Sequence, residues 1–427
     1  VKAHVPARVF KVLSRIVSRT AYLELLFENE GALLHLIKLC DMSAWISEHI
    51  ALFPILLDEL IDPQLLNNPP ALTQYAADLQ QYMLRIPEDD VEMQMEALRQ
   101  FKQTQQLRIA AADIAGVLPI MQVSDHLTAL AQSIVAEVVQ QAWQQVTRRF
   151  GQPLSTVDKT HKGFAVIGYG KMGGIELGYG SDLDLVFIHE SDANDLTNGE
   201  REIPATQFYV KLAQKIMHIC NTRMSSGMLY ELDMRLRPSG NSGVLVVHID
   251  SFADYQANEA WTWEHQALVR SRIIYGHQSI ADGFNKVRKS IISQQRSREC
   301  LKKEVIDMRN KMRSHLDSTS SEYSDIKQAQ GGLVDIEFLM QYLVLANAHE
   351  HPSLCQHSDN VSVFKQLADL SLMTSIESDA LIESYCELRN AGHRAVLQNT
   401  QTTLGSERFE QLASPVKKTW LDVFGGQ

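Results

Sequence analysis

The chain has 427 residues, enough for two to three domains with ample material for a core, and its 45% hydrophobic and 21% charged content is that of an ordinary soluble protein. A formal net charge of −11 argues against a generic nucleic-acid binder, which is usually basic. No apolar run approaches membrane-spanning length.

Residues 1 to about 120 read as helical. Val9, Val12, Leu13, Ile16 and Val17 repeat at helical spacing, as do Leu33, Leu36, Ile37 and Cys40. Pro54, Pro63 and the Pro69-Pro70 pair punctuate these helices. A further helix is expected over about Asp90 to Ala115. Its Arg99, Lys102 and Arg108 read as a solvated face, with a polar partner face as the alternative. Ser124 to Phe150 reads as one long helix. Ser124 caps its start, Arg148 and Arg149 sit in its last turn, and Gly151 stops it. Its stripe of Leu127, Leu130, Ile134, Val138 and Trp143 should pack on the sheet or the preceding helices. Gln152 to Lys162 reads as a polar linker.

Phe164 to Glu190 is the centre of the chain. Phe164 to Ile167 and Leu183 to Ile188 read as short buried strands. Gly168-Tyr169-Gly170-Lys171-Met172-Gly173 between them matches the dinucleotide fingerprint in letters. That fingerprint requires a helix and then a parallel strand, a crossover of a dozen or more residues. Only nine residues separate Gly173 from Leu183, and Gly178, Gly180 and Ser181 interrupt them, so one helical turn and a loop are expected instead. Asp182 and Asp184 point to one face of the second strand. Two adjacent carboxylates repel, and Mg²⁺, a hard cation shared with substrate phosphates, would neutralise them. The bland alternative is a turn-capping Asp182 and a solvated Asp184, which an apolar strand disfavours.

After a polar loop, Ser191 to Glu202, Pro204 opens a helix with Phe208, Leu212, Ile216 and Ile219 on one face. Asn221 to Gly227 is a turn-rich loop. Met228 to Pro238 alternates strictly. Met228, Tyr230, Leu232, Met234 and Leu236 are apolar; Glu231, Asp233, Arg235 and Arg237 are charged. This predicts a half-buried strand that forms a hairpin with Gly243 to Ile249. Its arginines suit phosphate, with self-pairing surface charges as the alternative.

Ser251 to Tyr275 is expected to be helical, with Trp261 and Trp263 in the core. Arg270 and Arg272 are candidates for phosphate or partner contacts, with ordinary salt bridges as the alternative. From about Ser290 the chain turns helical again, with a stripe of Leu301, Val305, Met308 and Met312 and a loop over Ser318 to Asp325. Gly331-Gly332 precedes a helix over Leu333 to Leu345; a plain helix boundary is the leading reading, an anion site the other. Helices follow over Asn360 to Leu372 and Ile376 to Asn399, and the last residues look frayed. Five cysteines, odd in number and without metal-ligand spacing, suggest buried reduced thiols in a cytoplasm. The start at Val1 fits a piece of something longer.

Two Asp on one strand and a third acid on its neighbour suit a two-metal phosphoryl-transfer centre. Asp233 is preferred to Glu231 as the third acid, since it is shorter and lies beside Arg235.

Gly173-Gly174, a short spacer and Ser181-Asp182-x-Asp184, with a later strand acid, resemble the polymerase-β-type nucleotidyltransferase superfamily. The stretches VIGYGKMGGIELGYGSDLDLVF, LYELDMRLRPSGNSG, NEAWTWEHQALVR and GGLVDIEF are similar to the bifunctional glutamine synthetase adenylyltransferase/adenylyl-removing family, and to its C-terminal, adenylylating half. The likeness runs from about Arg8 to the end, and one Gly-Gly…Asp-x-Asp constellation is present, as in a single half.

The resemblance implies an α+β fold: a small mixed catalytic sheet at 121–288, between a helical region at 1–120 and a helical bundle at 289–427. The bundle resembles the one that follows the catalytic domain in this family and in PII uridylyltransferases. The implied reaction moves AMP from ATP to a tyrosine of glutamine synthetase and releases pyrophosphate. Removal of AMP by phosphorolysis, or docking without catalysis, are the alternatives. Asp182, Asp184 and Asp233 would be the catalytic and Mg²⁺-binding residues. Gly173, Gly174 and Ser181 would hold the triphosphate, and Arg235 would neutralise developing charge. The PII signalling protein and glutamine are the implied regulators.

Overall fold

A computed structural model describes residues 4–62, 66–157 and 161–425. Pro63, expected to punctuate the early helices, and 158–160 of the linker lie outside the described residues. The architecture is α+β and mostly helical. No described helix is long and apolar enough to cross a membrane.

The first strand, β1 (Phe164–Gly168), pairs antiparallel with β2 (Leu183–His189), Phe164 opposite His189 and Gly168 opposite Leu185. The intervening turn holds one short helix, Gly170–Gly173, so the dinucleotide crossover has no place here. After the helix Ala205–Asn221, β3 (Arg223–Met224) and β4 (Gly227–Met228) make a small separate hairpin. Then β5 (Leu232–Asp233) and β6 (Val246–His248) both pair parallel with β2. The last strand of the sheet, β7 (Arg272–Tyr275), lies antiparallel to β1. The order is β5-β2-β1-β7, with β6 further along β2 on the edge that β5 begins. A distant pair, β8 (Tyr323–Asp325) and β9 (Thr403–Gly405), ties two parts of the C-terminal region together.

The sheet separates two cores because strand side chains alternate. Phe164, Val166, Leu183, Leu185 and Phe187 join one core with the N-terminal helices, the long helix Ile120–Phe150 and the helix Ala205–Asn221. Ala165, Ile167, Val186 and Ile188 join the other with the helices Leu333–Asn347, Asn360–Asp369, Ser375–Leu397 and Ser406–Phe424. By the same alternation Asp184 belongs to the second face, under the C-terminal helices. Leu232 belongs to the first core, which leaves Asp233 on the face of Asp184.

Several expectations are corrected. The alternating stretch Met228 to Pro238 is a strand only at Leu232–Asp233, and it forms no hairpin with Val246–His248. Both pieces pair with β2 instead, and the chain between them loops out through Pro238 and Ser239, the latter at φ +60°. Arg237 is used in closing that loop: it donates to the carbonyls of Met234 and Asn241. Ser251 to Tyr275 is two helices, Ile249–Asn258 and Thr262–Val269, followed by β7.

Trp261 is 71% exposed and Trp263 is also exposed, so neither is a core residue. Arg99 is 0% exposed rather than solvated. It donates to the carbonyls of Gly227, Met95, Ile219 and Thr222, pinning the β3–β4 hairpin to the helix Val91–Ile114. Lys102 likewise donates to the Leu229 carbonyl, and Arg108 pairs with Glu59. The long helix starts at Ile120 after Pro119, so Ser124 is no cap; its buried hydroxyl accepts from Arg389. The helix Ser406–Phe424 runs nearly to the end, and 426–427, among the last residues expected to fray, lie outside the described residues. All five cysteines are free, and Cys300 is exposed rather than buried.

Candidate active site

Parallel pairing of β2 with β5 sets Leu183 opposite Leu232 and Asp184 opposite Asp233. Neighbouring strands lie about 4.8 Å apart, so carboxylates on facing positions of one face must crowd. One carboxylate oxygen each of Asp182, Asp184 and Asp233 lies within 4.8 Å of the others. Asp182 is exposed, and the other two are half-buried. Glu231 is not in the cluster; its carbonyl accepts from the Leu183 amide.

The electrostatics follow from this crowding. Burial, then the charges of Asp182 and Asp233, push the Asp184 carboxyl up to about 6. Asp233 moves the other way, held below the usual carboxylate range by its hydrogen bond from Arg235. The Arg235 Nε donates to both Asp233 oxygens at 3.0 and 2.8 Å, and its backbone N–H donates to Oδ1 at 2.9 Å. The Arg235 side chain is itself 74% exposed, at the rim. The Asp182 and Asp184 carboxylates have no ion pair among the described residues. Three convergent carboxylates offer the oxygen ligands that a hard divalent cation takes. The exposed rim at Asp182 and Arg235 leaves the cluster open to a phosphate-bearing ligand.

The turn between β1 and β2 brings backbone to this cluster. Gly170 has φ +52°, and a Cβ there would stand 2.5 Å from the Asp184 Oδ2. Only glycine meets both demands. The Tyr169 amide donates to the Asp184 carbonyl at 2.9 Å, fixing the turn to β2.

Gly173 and Gly174 lie at the other end of this turn, and their smallness has a different cause. A Cβ on Gly173 would meet the Arg270 carbonyl oxygen at 2.1 Å, and one on Gly174 would meet the Arg270 Nη2 at 2.8 Å. Ser181 accepts from the Gly178 amide at 3.0 Å and closes the loop before Asp182. The anion reading of Gly331-Gly332 has no open donor to rest on at Gly331, whose amide donates to Asp335 at 2.7 Å. Arg309 and Arg313 hold that same carboxylate. Of the two arginines weighed earlier, Arg270 is in buried salt bridges with Glu176 and Glu337, and Arg272 donates to Gln132.

Sequence reasoning passed over Gly170 and the Glu176–Arg270 pair. Gly170 stood in plain sight as the middle glycine of the turn. The pair joins positions 94 residues apart and leaves no local signal.

An acidic cluster at the end of a small mixed sheet makes this an α+β protein with a centre suited to a divalent cation. Comparison with known families is more specific. Residues 33–287 match the family described as glutamate-ammonia ligase adenylyltransferase, and this chain belongs to that family. Residues 300–415 match the GlnD PII-uridylyltransferase family. A bifunctional glutamine synthetase adenylyltransferase/adenylyl-removing enzyme of Shewanella oneidensis is 58% identical over 393 residues, 91% of this chain and 41% of the relative. The enzyme of the same name from Shewanella loihica is 54% identical over 415 residues, 96% of this chain and 43% of the relative. The chain thus spans less than half the length of these relatives.

Proposed function

We propose that this chain transfers AMP from ATP to a tyrosine hydroxyl of glutamine synthetase and releases pyrophosphate. The observation that carries the reading is the Asp184–Asp233 register, with Asp182 completing the cluster. The catalytic domain is assigned to 121–288, of polymerase-β nucleotidyltransferase type, between the helical regions 1–120 and 289–427. Its compartment is the cytoplasm.

Asp182, Asp184 and Asp233 would hold Mg²⁺. When bound, the ion neutralises phosphate charge and acidifies the attacking hydroxyl. Asp233, kept ionised by Arg235, would help activate that hydroxyl through the ion it holds, the proton passing to solvent at the exposed rim. Arg235, exposed at the rim with Nε and Nη2 on Asp233, would set its positive charge beside charge developing on the α-phosphate. Gly170 lets the turn approach Asp184, and the Gly173-Gly174 turn with Ser181 would hold the triphosphate. The nucleophilic oxygen attacks the α-phosphorus, the bond to the bridging oxygen breaks, and pyrophosphate leaves.

The same carboxylates would serve phosphorolysis, the second activity in the relatives' name. The PII signalling protein is the proposed regulator, on the match of 300–415 to a PII-modifying family, with glutamine as effector. The test is labelled ATP, Mg²⁺ and purified glutamine synthetase. Label should enter glutamine synthetase with the native chain and not with Asp182→Asn/Asp184→Asn. Release of ADP from adenylylated glutamine synthetase and phosphate, without forward labelling, would favour the removing reaction.

A further inference from the structure

A second polar cavity lies at the opposite edge of the sheet from β5. It has a volume of about 570 Å³ and is bordered by Arg272, Arg288 and Lys289, with Asp359 as its single carboxylate. Arg272 opens β7, the edge strand beyond β1, whereas Asp233 lies on the β5 edge. The three cations have no salt bridge among the described residues.

Arg288 is 7% exposed and spends its donors on the carbonyls of Leu268, Cys355, Val269 and His357. Those bonds satisfy its N–H groups but leave its charge uncompensated. Arg272 gives one Nη1 bond to Gln132, while its Nε is buried with no acceptor. Burial lowers both arginines to about 10, so both remain charged at neutral pH. Gathering like charges around a partly desolvated space is costly unless an anion enters it.

The cavity also touches the turn described above. Ile175 lies in its wall with φ +56°, a conformation that a β-branched residue adopts only under constraint. Ser358, also in the wall, donates to the Gly173 carbonyl at 2.7 Å.

We propose that this cavity binds a small oxyanion, a phosphate or carboxylate group of a metabolite, between Arg272 and Lys289, against the Ile175 and Ser358 side of the glycine turn. An effect of its occupancy on nucleotide transfer rests on the reading of the carboxylate cluster given above; binding itself does not.

Calorimetric titration of the full chain in EDTA, with inorganic phosphate and with succinate as separate probes, tests it. The native chain should bind at least one probe, and the tighter one identifies the group. Lys289→Gln and Arg272→Gln should each weaken binding about tenfold, the usual effect of losing one charge-assisted contact. Asp182→Asn/Asp184→Asn should bind as the native chain does. No binding of either probe at millimolar concentration, or equal affinity in Lys289→Gln, overturns the proposal. So does weakening confined to the aspartate variant, which would place the anion at the other site. Lys289 is exposed, so its variant decides the matter even if Arg272→Gln fails to fold.

Discussion

Arg270 reaches from the end of the helix Thr262–Val269 to Glu176, in the loop between β1 and β2, and both side chains are all but sealed from water. The guanidinium's other arm meets Glu337 at 2.6 Å, on the first turns of the helix Leu333–Asn347. Glu176 also accepts from the Asn360 amide and side chain at 3.1 Å each. The pair thus joins the turn beside the carboxylate cluster to two helices of the C-terminal region, Arg270 to one through Glu337 and Glu176 to the other through Asn360.

Removing that arginine leaves a buried carboxylate without its counter-charge. Arg270→Ala should lower unfolding free energy by about 3–5 kcal/mol, the cost of breaking a buried pair. Urea titration by circular dichroism measures it. Glu176→Gln with Arg270→Met should lose less than Arg270→Ala alone, since only Glu337, the more exposed of the two carboxylates, is then left without its counter-charge.

Arg99 is a structural residue of the same kind, without a carboxylate. Arg99→Lys keeps the charge but cannot reach all four carbonyls that the fork holds. A destabilisation of about 2–3 kcal/mol is expected, from charge-assisted bonds lost in the interior. Hydrogen exchange should rise at the β3–β4 hairpin first.

Gly170→Ala separates activity from folding. The left-handed backbone costs a non-glycine residue about 1–2 kcal/mol. The added methyl also pushes against the Asp184 carboxylate, so nucleotide transfer should fall by far more than stability does. Parallel rate and denaturation measurements would show a folded variant with at least about a tenfold loss of rate if the carboxylate must move by a fraction of an ångström.

The metal-free chain should show opposite pH effects at neighbouring carboxylates. Asp184 has a folded-state value raised from 3.8 to about 6. Its ionisation therefore opposes folding: its contribution is intact below the unfolded value and is lost as pH rises through about 6. Asp233 is depressed, so it contributes stability above the ordinary value and loses it as pH falls. In EDTA, Asp184→Asn should be more stable than the native chain at pH 7.5, with the difference vanishing towards pH 4 (buffer values chosen about the two limits). Mg²⁺ should raise the native midpoint and leave that of the variant unmoved.

The parts of this fold written in the sequence are those with a local cause. Strands β1 and β2 announced themselves as apolar runs bounded by glycine, and their nine-residue separation already argued against a parallel crossover. Asp182 and Asp184 followed from strand alternation alone. Asp233 lies in the carboxylate cluster and Glu231 does not. The stretch Met228 to Pro238 was misread because alternation tells which face a side chain takes, not which strand the backbone bonds. Leu232 and Asp233 alternate as expected, yet their partner is β2 and not Val246–His248. Arg99 was misread because three of its four acceptors lie more than a hundred residues away. Trp261 was placed inside on its bulk, but it stands where the chain turns between two helices.

The most direct measurement is anomalous diffraction from crystals of this chain grown with Mn²⁺ and a non-hydrolysable ATP analogue. A manganese peak is expected about 2.1 Å from oxygens of Asp182, Asp184 and Asp233, with a phosphate oxygen completing the shell. A nucleotide bound with its metal away from these three carboxylates, or ligated without any of them, would contradict the account.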